Sequence, residues 1–514
     1  MSNFLSKAVN NSVWTSIGSV GTAILSFLFA GITIKWLGEK EAGFAIAVST
    51  IAGINSTFGG LGLSSAAVRL ISKANNERDY KTIKNAAGVC FSTSLLFGLL
   101  GLIIFSLNAH YIVYWAKYEG NISTGEIYCI LAGLFFLFEQ ISSYLNSLFI
   151  ALQRFDLETK ILLFFNLANG ICGIALLSIF PNILTVGIIT CLISFFKLLC
   201  MSWNIKKLLG FFPIPIWNKI MFSELWDFGR WMYLTQIMGT LANGLDKIFL
   251  ISFFGSASLP FYTFSQRIYQ TVHSTLVNQA SYLFPMLSSQ GKEINLVADR
   301  TEERLRWFIG LLAGFIFSGL IISGPAILAV IISSEFSQKS YFQLFIFSWI
   351  GYFHAQSIVP FFFGLSKGDA KGNAIYHMII GIGLVPLMAL FSLFFGFQYA
   401  SLGNIMILVG VIYLARRDKE KMTWMNFIYW FIQPLYSSLI IMIISCGVRF
   451  ALDRLNTTLV VQLITTLLFY MISIALVLRI ETDIFDGKHR IETLRKAISI
   501  LLSRFNFIKK NIPK

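Results

Sequence analysis

Charge is scarce in this 514-residue chain: Asp, Glu, Lys and Arg make up 13% of it, against 56% hydrophobic residues and a mean hydropathy of +0.71. Soluble domains carry roughly 25% charged residues, so there is too little here to solvate a soluble surface. Also missing are a GxxxxGK[ST] loop, a GxGxxG turn, an HExxH pair and a nucleophile elbow. Their absence removes ATP as a direct energy source within the chain and leaves no recognisable catalytic centre. Cysteine is sparse as well. The six, Cys90, Cys129, Cys172, Cys191, Cys200 and Cys446, sit inside apolar runs, with no CxxC pair and no Cys/His cluster at metal-ligand spacing. Together these shortages exclude a sizeable soluble enzyme domain, a nucleotide-binding module, a disordered regulator and a disulfide scaffold, and they predict no cofactor and no metal.

What is abundant is long apolar sequence. Runs of the roughly 20 residues a bilayer-crossing helix needs occur near 12–36, 42–68, 86–107, 126–152, 161–180, 182–202, 228–254, 258–284, 307–333, 341–363, 374–396, 399–415, 427–449 and 458–478. The expected fold is therefore all-α, a polytopic membrane protein of about fourteen spans. The first run follows a single basic residue, Lys7, and is too long for a cleaved leader, so it should stay as the first span. With Met1 inside, 32 of the 40 Lys and Arg residues fall on the inner side and 6 on the outer. Basic loops stay cytoplasmic, so both termini are expected there, and the net charge of +15 marks topology rather than a nucleic-acid partner. The longest outer loop, near 107–125, is too short for a catalytic domain.

A weak repeat organises the spans. Gly21-Thr22, Leu37-Gly38 and Phe44 reappear at similar spacing as Gly239-Thr240, Phe254-Gly255 and Phe261. Both copies start on the cytoplasmic side, which predicts two six-helix bundles in parallel repeat, over 1–210 and 211–425, with a binding cavity between halves. Two further spans follow within 426–479. Residues 480–514 read as a basic amphipathic tail, with Ile491, Leu494, Ile498, Leu501, Phe505 and Ile508 on one face.

Polar groups inside spans are costly, about 2.5–3.5 kcal/mol for a charge on insertion scales, and so point to cavities or partners. Gln236, Thr240, Asn243 and Lys247 share one face of span 7, bordered by Asp246; Arg267, Thr271, Ser274, Asn278 and Ser281 share one face of span 8, next to Gln266. A guanidinium in low dielectric stays charged and binds phosphate bidentately. Arg267 thus fits contact with a phosphorylated headgroup, or an ion pair with Asp246 or Glu139. In span 4, Glu139, Ser143 and Asn146 form another stripe, widened by Gln140, Ser142 and Ser147. Asp246 and Glu139 each fit a proton- or cation-exchanging carboxylate, or a static charge partner. His273 fits a hydrogen-bonded helix-packing histidine or, as the alternative, a proton carrier. Arg69 and Arg230 fit either snorkelling to lipid phosphates or headgroup contacts at an inner gate.

Phe228-Gly229, Asn243-Gly244-Leu245-Asp246-Lys247, Phe261-Tyr262, Ser265-Gln266-Arg267 and Leu283-Phe284-Pro285, with Ala151-Leu152-Gln153-Arg154 after span 4, resemble stretches of the polysaccharide transporter family. These are the O-antigen and capsule repeat-unit flippases of the multidrug/oligosaccharidyl-lipid/polysaccharide exporter superfamily. The resemblance implies a bacterial inner-membrane flippase that moves an undecaprenyl-diphosphate-linked oligosaccharide to the outer leaflet by alternating access. It also implies coupling to an ion gradient, with H+ or Na+ as candidate ions, and a polysaccharide polymerase and chain-length machinery as candidate partners. A multidrug-extrusion relative shares the fold but calls for an acidic cavity. A polymerase or a non-transporting scaffold would be of another class.

Overall fold

The chain was analysed as a computed structural model that describes residues 2–60, 62–280, 294–366, 369–417, 419, 422–455 and 457–483. Nearly all of the expected basic tail over 480–514 lies outside them, as do Leu283-Phe284-Pro285, Ser281 and the side chain of Asn243. The regular elements among the described residues are helical, without a strand. In chain order they are α1 (Ser2–Gly60), α2 (Leu63–Asn76), α3 (Tyr80–Leu107), α4 (Ala109–Trp115), α5 (Ile122–Ala151), α6 (Phe155–Ile179), α7 (Ile183–Leu209), α8 (Lys219–Phe254) and α9 (Leu259–Ala280). There follow α10 (Ile294–Ile331), α11 (Ser334–His354), α12 (Ile358–Ser366), α13 (Ala370–Phe395), α14 (Met406–Arg417), α15 (Trp424–Ile432), α16 (Tyr436–Arg454) and α17 (Leu459–Asp483).

Ten segments among the described residues are long and apolar enough to cross a membrane. They coincide with expected spans 3–6 and 9–14, so ten of the fourteen are supported by length and composition. Spans 1, 2, 7 and 8 fall on α1, α8 and α9. The outward surface fits lipid: on α3, Leu96, Leu99, Leu100, Ile103, Ile104 and Leu107 are exposed along one face, while Gly98, Gly101 and Phe105 are buried on the other. An apolar stripe of that extent would be a liability in water.

Polar residues punctuate the apolar runs. Asn121, Asn182 and Asn218 accept backbone N–H bonds at the starts of α5, α7 and α8, and Asp79 does so for α3. Gly210 closes α7 in the left-handed conformation. Gly38 interrupts α1 at φ 78°, ψ 173°, and Gly255 ends α8 at φ 79°, ψ 167°. This region is essentially reserved for glycine. The two glycines that the repeat aligned thus carry the same backbone turn, each followed six residues later by a buried phenylalanine, Phe44 and Phe261.

The chain forms two compact units. The first comprises Met1–Thr271, Leu328–Gln343 and Ala374–Gly410. Its core between α2, α3 and α5 sets small residues, Ala66, Ala67, Ala86 and Ala87, against Leu145, Leu148 and Phe149, and the Tyr144 hydroxyl donates to the Ala87 carbonyl at 2.6 Å. Small side chains allow such close helix approach in a membrane. The second unit comprises Val272–Ile327, Leu344–Asn373 and Val411–Lys514. There Trp307, Leu311, Ile322, Ile441 and Phe469 form a core. Arg449 of α16 pairs with Asp453 and donates to the Ile322 carbonyl and to Gln462 of α17 at 3.2 and 3.1 Å, tying three helices together.

Candidate functional site

Within the first unit, α1, α2, α5, α7, α8 and α9 surround a cavity of about 1110 Å³. Polar side chains enter it from these helices among apolar ones such as Phe29, Phe135, Phe136 and Phe264. From α1 come Thr33, Ser49, Thr50 and Ser56; from α5 Tyr128, Glu139, Gln140 and Ser143; from α7 Thr190. The α8 and α9 wall brings Gln236, Thr240 and Lys247, then Thr263, Gln266, Arg267 and Gln270. The charged groups in the lining are Lys247, Arg267 and Glu139. Arg267 is exposed although most of its neighbours on α9 are buried, because its side chain enters the cavity.

Of the residues singled out in the sequence, Arg267, Lys247, Gln236, Gln266 and Glu139 come together around this space. Thr271, Ser274, Asn278 and Arg69 are not among the lining residues. Ser274 and Asn278 are exposed and belong to the second unit, and Arg69 and Arg230 are exposed in the first. His273, in the second unit, stacks face to face on His354 with ring centroids 3.6 Å apart.

The two carboxylates differ in surroundings. Asp246 is 0% exposed and does not line the cavity. It lies behind the wall, where it accepts from the Gln266 amide at 2.7 Å, the Tyr262 hydroxyl at 3.0 Å, the Lys247 backbone N–H at 2.8 Å and Lys247 Nζ at 3.4 Å. Asn404 in turn donates to Tyr262 at 3.0 Å. These donors satisfy the buried carboxylate, and the same bonds fix Gln266 and Lys247 in place. Glu139 faces the cavity with 34% of its side chain exposed, and Lys197 Nζ donates to its two oxygens at 2.5 and 2.7 Å, joined by the Ser194 hydroxyl at 2.7 Å.

Lys197, within the apolar run 182–202, is one of the 32 cations counted on the inner side. It lies well inside α7, about 20 Å from the helix start at 1.5 Å per residue, and serves as the partner of Glu139. The spacing of Ser194 and Lys197, three apart on one helical face, was the available signal. Tyr262, present in the sequence only as part of a family-like stretch, was not foreseen as an Asp246 partner, nor Asn404 as the group that donates to Tyr262.

Residues 8–290 match the family model described as polysaccharide biosynthesis protein. No curated protein matches the sequence significantly. Among solved structures, the fold is similar to that of the lipid II flippase MurJ in an inward closed conformation, at TM-score 0.71 and 16% identity, covering 90% of this chain and 98% of that one. It is also similar to an inward-facing multidrug resistance MATE family transporter of the MOP superfamily, at TM-score 0.63 and 13% identity, covering 86% and 100%. A third is a MOP superfamily transporter from Pyrococcus furiosus described as having a binding pocket of reverse polarity, at TM-score 0.57 and 13% identity, covering 82% and 96%. At these identities the likeness establishes the fold.

Proposed function

Because the chain belongs to the polysaccharide biosynthesis protein family, we propose that it is a flippase. Its cargo is an undecaprenyl-diphosphate-linked oligosaccharide, an O-antigen or capsule repeat unit, carried from the inner to the outer leaflet of the bacterial cytoplasmic membrane by alternating access. The observation that carries this reading is the cavity wall: hydroxyl and amide side chains interspersed with apolar ones, with Lys247 and Arg267 on one side. The head of such a lipid is a sugar chain on a diphosphate. Hydroxyls and amides replace the water lost by the sugars, and the two cations offset the desolvation of the phosphates, while the prenyl tail stays in hydrocarbon. At about 1110 Å³ the space reaches past the roughly 300–1,000 Å³ of ordinary small-ligand clefts. No bond is made or broken.

The transport is driven by an ion gradient, H+ or Na+. Between the two carboxylates, Glu139 is the better placed coupling group because it faces the cavity, whereas Asp246 is sealed behind Gln266 and Tyr262. A polymerase and chain-length machinery take up the product outside. A multidrug exporter of organic cations is the second reading, favoured by the likeness to MATE transporters. Two lining cations against one carboxylate, itself paired with Lys197, would repel such substrates.

In proteoliposomes, labelled lipid-linked repeat units should move between leaflets with their glycan unchanged, and replacing Glu139 by Gln should weaken the response to an imposed gradient. Elongation of the glycan would instead indicate a polymerase. Export of organic cations without movement of the lipid would favour the second reading.

A further inference from the structure

Among the described residues of the second unit, Arg306 in α10 is the most deeply buried cation, at 0% exposure. Its Nη2 donates to the Phe431 carbonyl at 2.9 Å, and the guanidinium lies 4.4 Å from the Trp430 ring centroid and 4.6 Å from that of Phe431. Nε and Nη1 have no protein acceptor. Glu302 and Glu303, about one turn earlier, are near enough to feel its charge, yet among the described residues no carboxylate forms an ion pair with it. Aromatic faces hold a cation but do not neutralise it, and a buried guanidinium with idle donors calls for an acceptor.

Two further cations surround the same aromatic helix, α15. Lys419 Nζ lies 5.0 Å from the Trp430 centroid. The Arg416 guanidinium lies 3.9 Å from the centroid of Trp424, and its Nη2 donates to the Met422 carbonyl at 3.2 Å, leaving Nη1 without a partner. The apolar runs here begin near residues 307 and 427, so Arg306 sits at the edge of an apolar segment. A long cationic side chain at such an edge is within reach of the headgroup region, and the distribution of basic residues points this end to the cytoplasmic side.

We propose that the inner ends of α10, α14 and α15 form a binding site for the phosphate of an anionic membrane lipid. Arg306 and Arg416 supply guanidinium donors, Lys419 adds charge, and Trp424 and Trp430 hold the cations against the headgroup. A phosphate offers the acceptors both guanidinium groups lack. The site is distinct from the transport cavity of the first unit, and its fate is independent of the flippase reading.

The test is the thermal midpoint of the purified full chain with phosphatidylglycerol, with phosphatidylcholine, or with soluble glycerol phosphate. Phosphatidylglycerol should raise the midpoint above the phosphatidylcholine value by about 2–4 °C. That rise should vanish in Arg306→Gln and in the double variant Arg416→Gln/Lys419→Gln, the latter serving alone if the former fails to fold. Equal midpoints in the two lipids would overturn the proposal, as would a full rise in the double variant. An equal rise with glycerol phosphate alone would overturn the assignment to a lipid.

Discussion

Two hairpins of the first unit make an instructive pair: α1, broken at Gly38, and α8 with α9, joined through Gly255. The shift that carries Gly38 onto Gly255 and Phe44 onto Phe261 also carries Ala30 onto Lys247, Ser49 onto Gln266, Thr50 onto Arg267 and Gly53 onto Gln270. All eight of these last residues line the cavity. The backbone turn is the same and the inward positions are the same, yet one hairpin offers small and hydroxyl groups and the other offers cations and amides. Phe29 stands where Asp246 does, so only the second hairpin has a carboxylate behind its wall to hold Lys247 and Gln266. The repeat supplies the vessel, and divergence of one copy supplies the charge. Under the proposed function, the uncharged copy would face the sugar chain and the charged copy its phosphates.

The largest effect should come from removing that charge. Arg267→Ala should abolish movement of a diphosphate-linked oligosaccharide in proteoliposomes while membrane insertion persists, and Thr50→Ala at the matching position should change the rate by less than about threefold, as expected for one hydroxyl. Equal damage from both would break the asymmetry. Next comes the support behind the wall. Asp246→Asn should destabilise the protein by about 3–5 kcal/mol, the usual result of breaking a buried pair, read as a lowered thermal midpoint. Unchanged stability would mean the Tyr262–Gln266–Asn404 network does not carry the wall.

Smaller and deliberately equal effects belong to the two turns. A Cβ on Gly38 meets nothing within 4 Å, and one on Gly255 meets only Lys117 carbons at ordinary contact distance, 3.6 Å. Gly38→Ala and Gly255→Ala should therefore each cost only the backbone penalty, about 1–3 kcal/mol. Clearly unequal costs would show that the two turns are not equivalent. The smallest expected change is about 1 kcal/mol for Asn218→Ala, which removes the cap that starts α8; thermal unfolding would register it.

Much of this was legible in the sequence. Apolar length located the ten spans, and matching glycines located the paired turns, because both depend on local chemistry. Helical spacing identified the faces of α5, α8 and α9 that carry Glu139, Lys247 and Arg267. Spacing does not reveal what covers a face, however. The Arg267 stripe ran on through Thr271 and Ser274, but the lining ends at Gln270. Asp246 borders the α8 stripe in sequence and is sealed in the structure because Tyr262 and Gln266 reach it from α9, with Asn404 bonded to Tyr262 behind them. Lys197 was counted only as an inner-side cation, because its partner, Glu139, lies on another helix.

The most direct test of the account is access to the cavity itself. In a background with the six native cysteines replaced, Ser49→Cys and Gln270→Cys, one on each hairpin, should both react with a hydrophilic maleimide in membranes. Both reactions should slow several-fold when the lipid-linked oligosaccharide is supplied and remain unchanged with the unglycosylated prenyl phosphate. Cysteines that stay unreactive, or that react at the same rate with and without the oligosaccharide, would contradict the claim that this space receives the sugar-phosphate head.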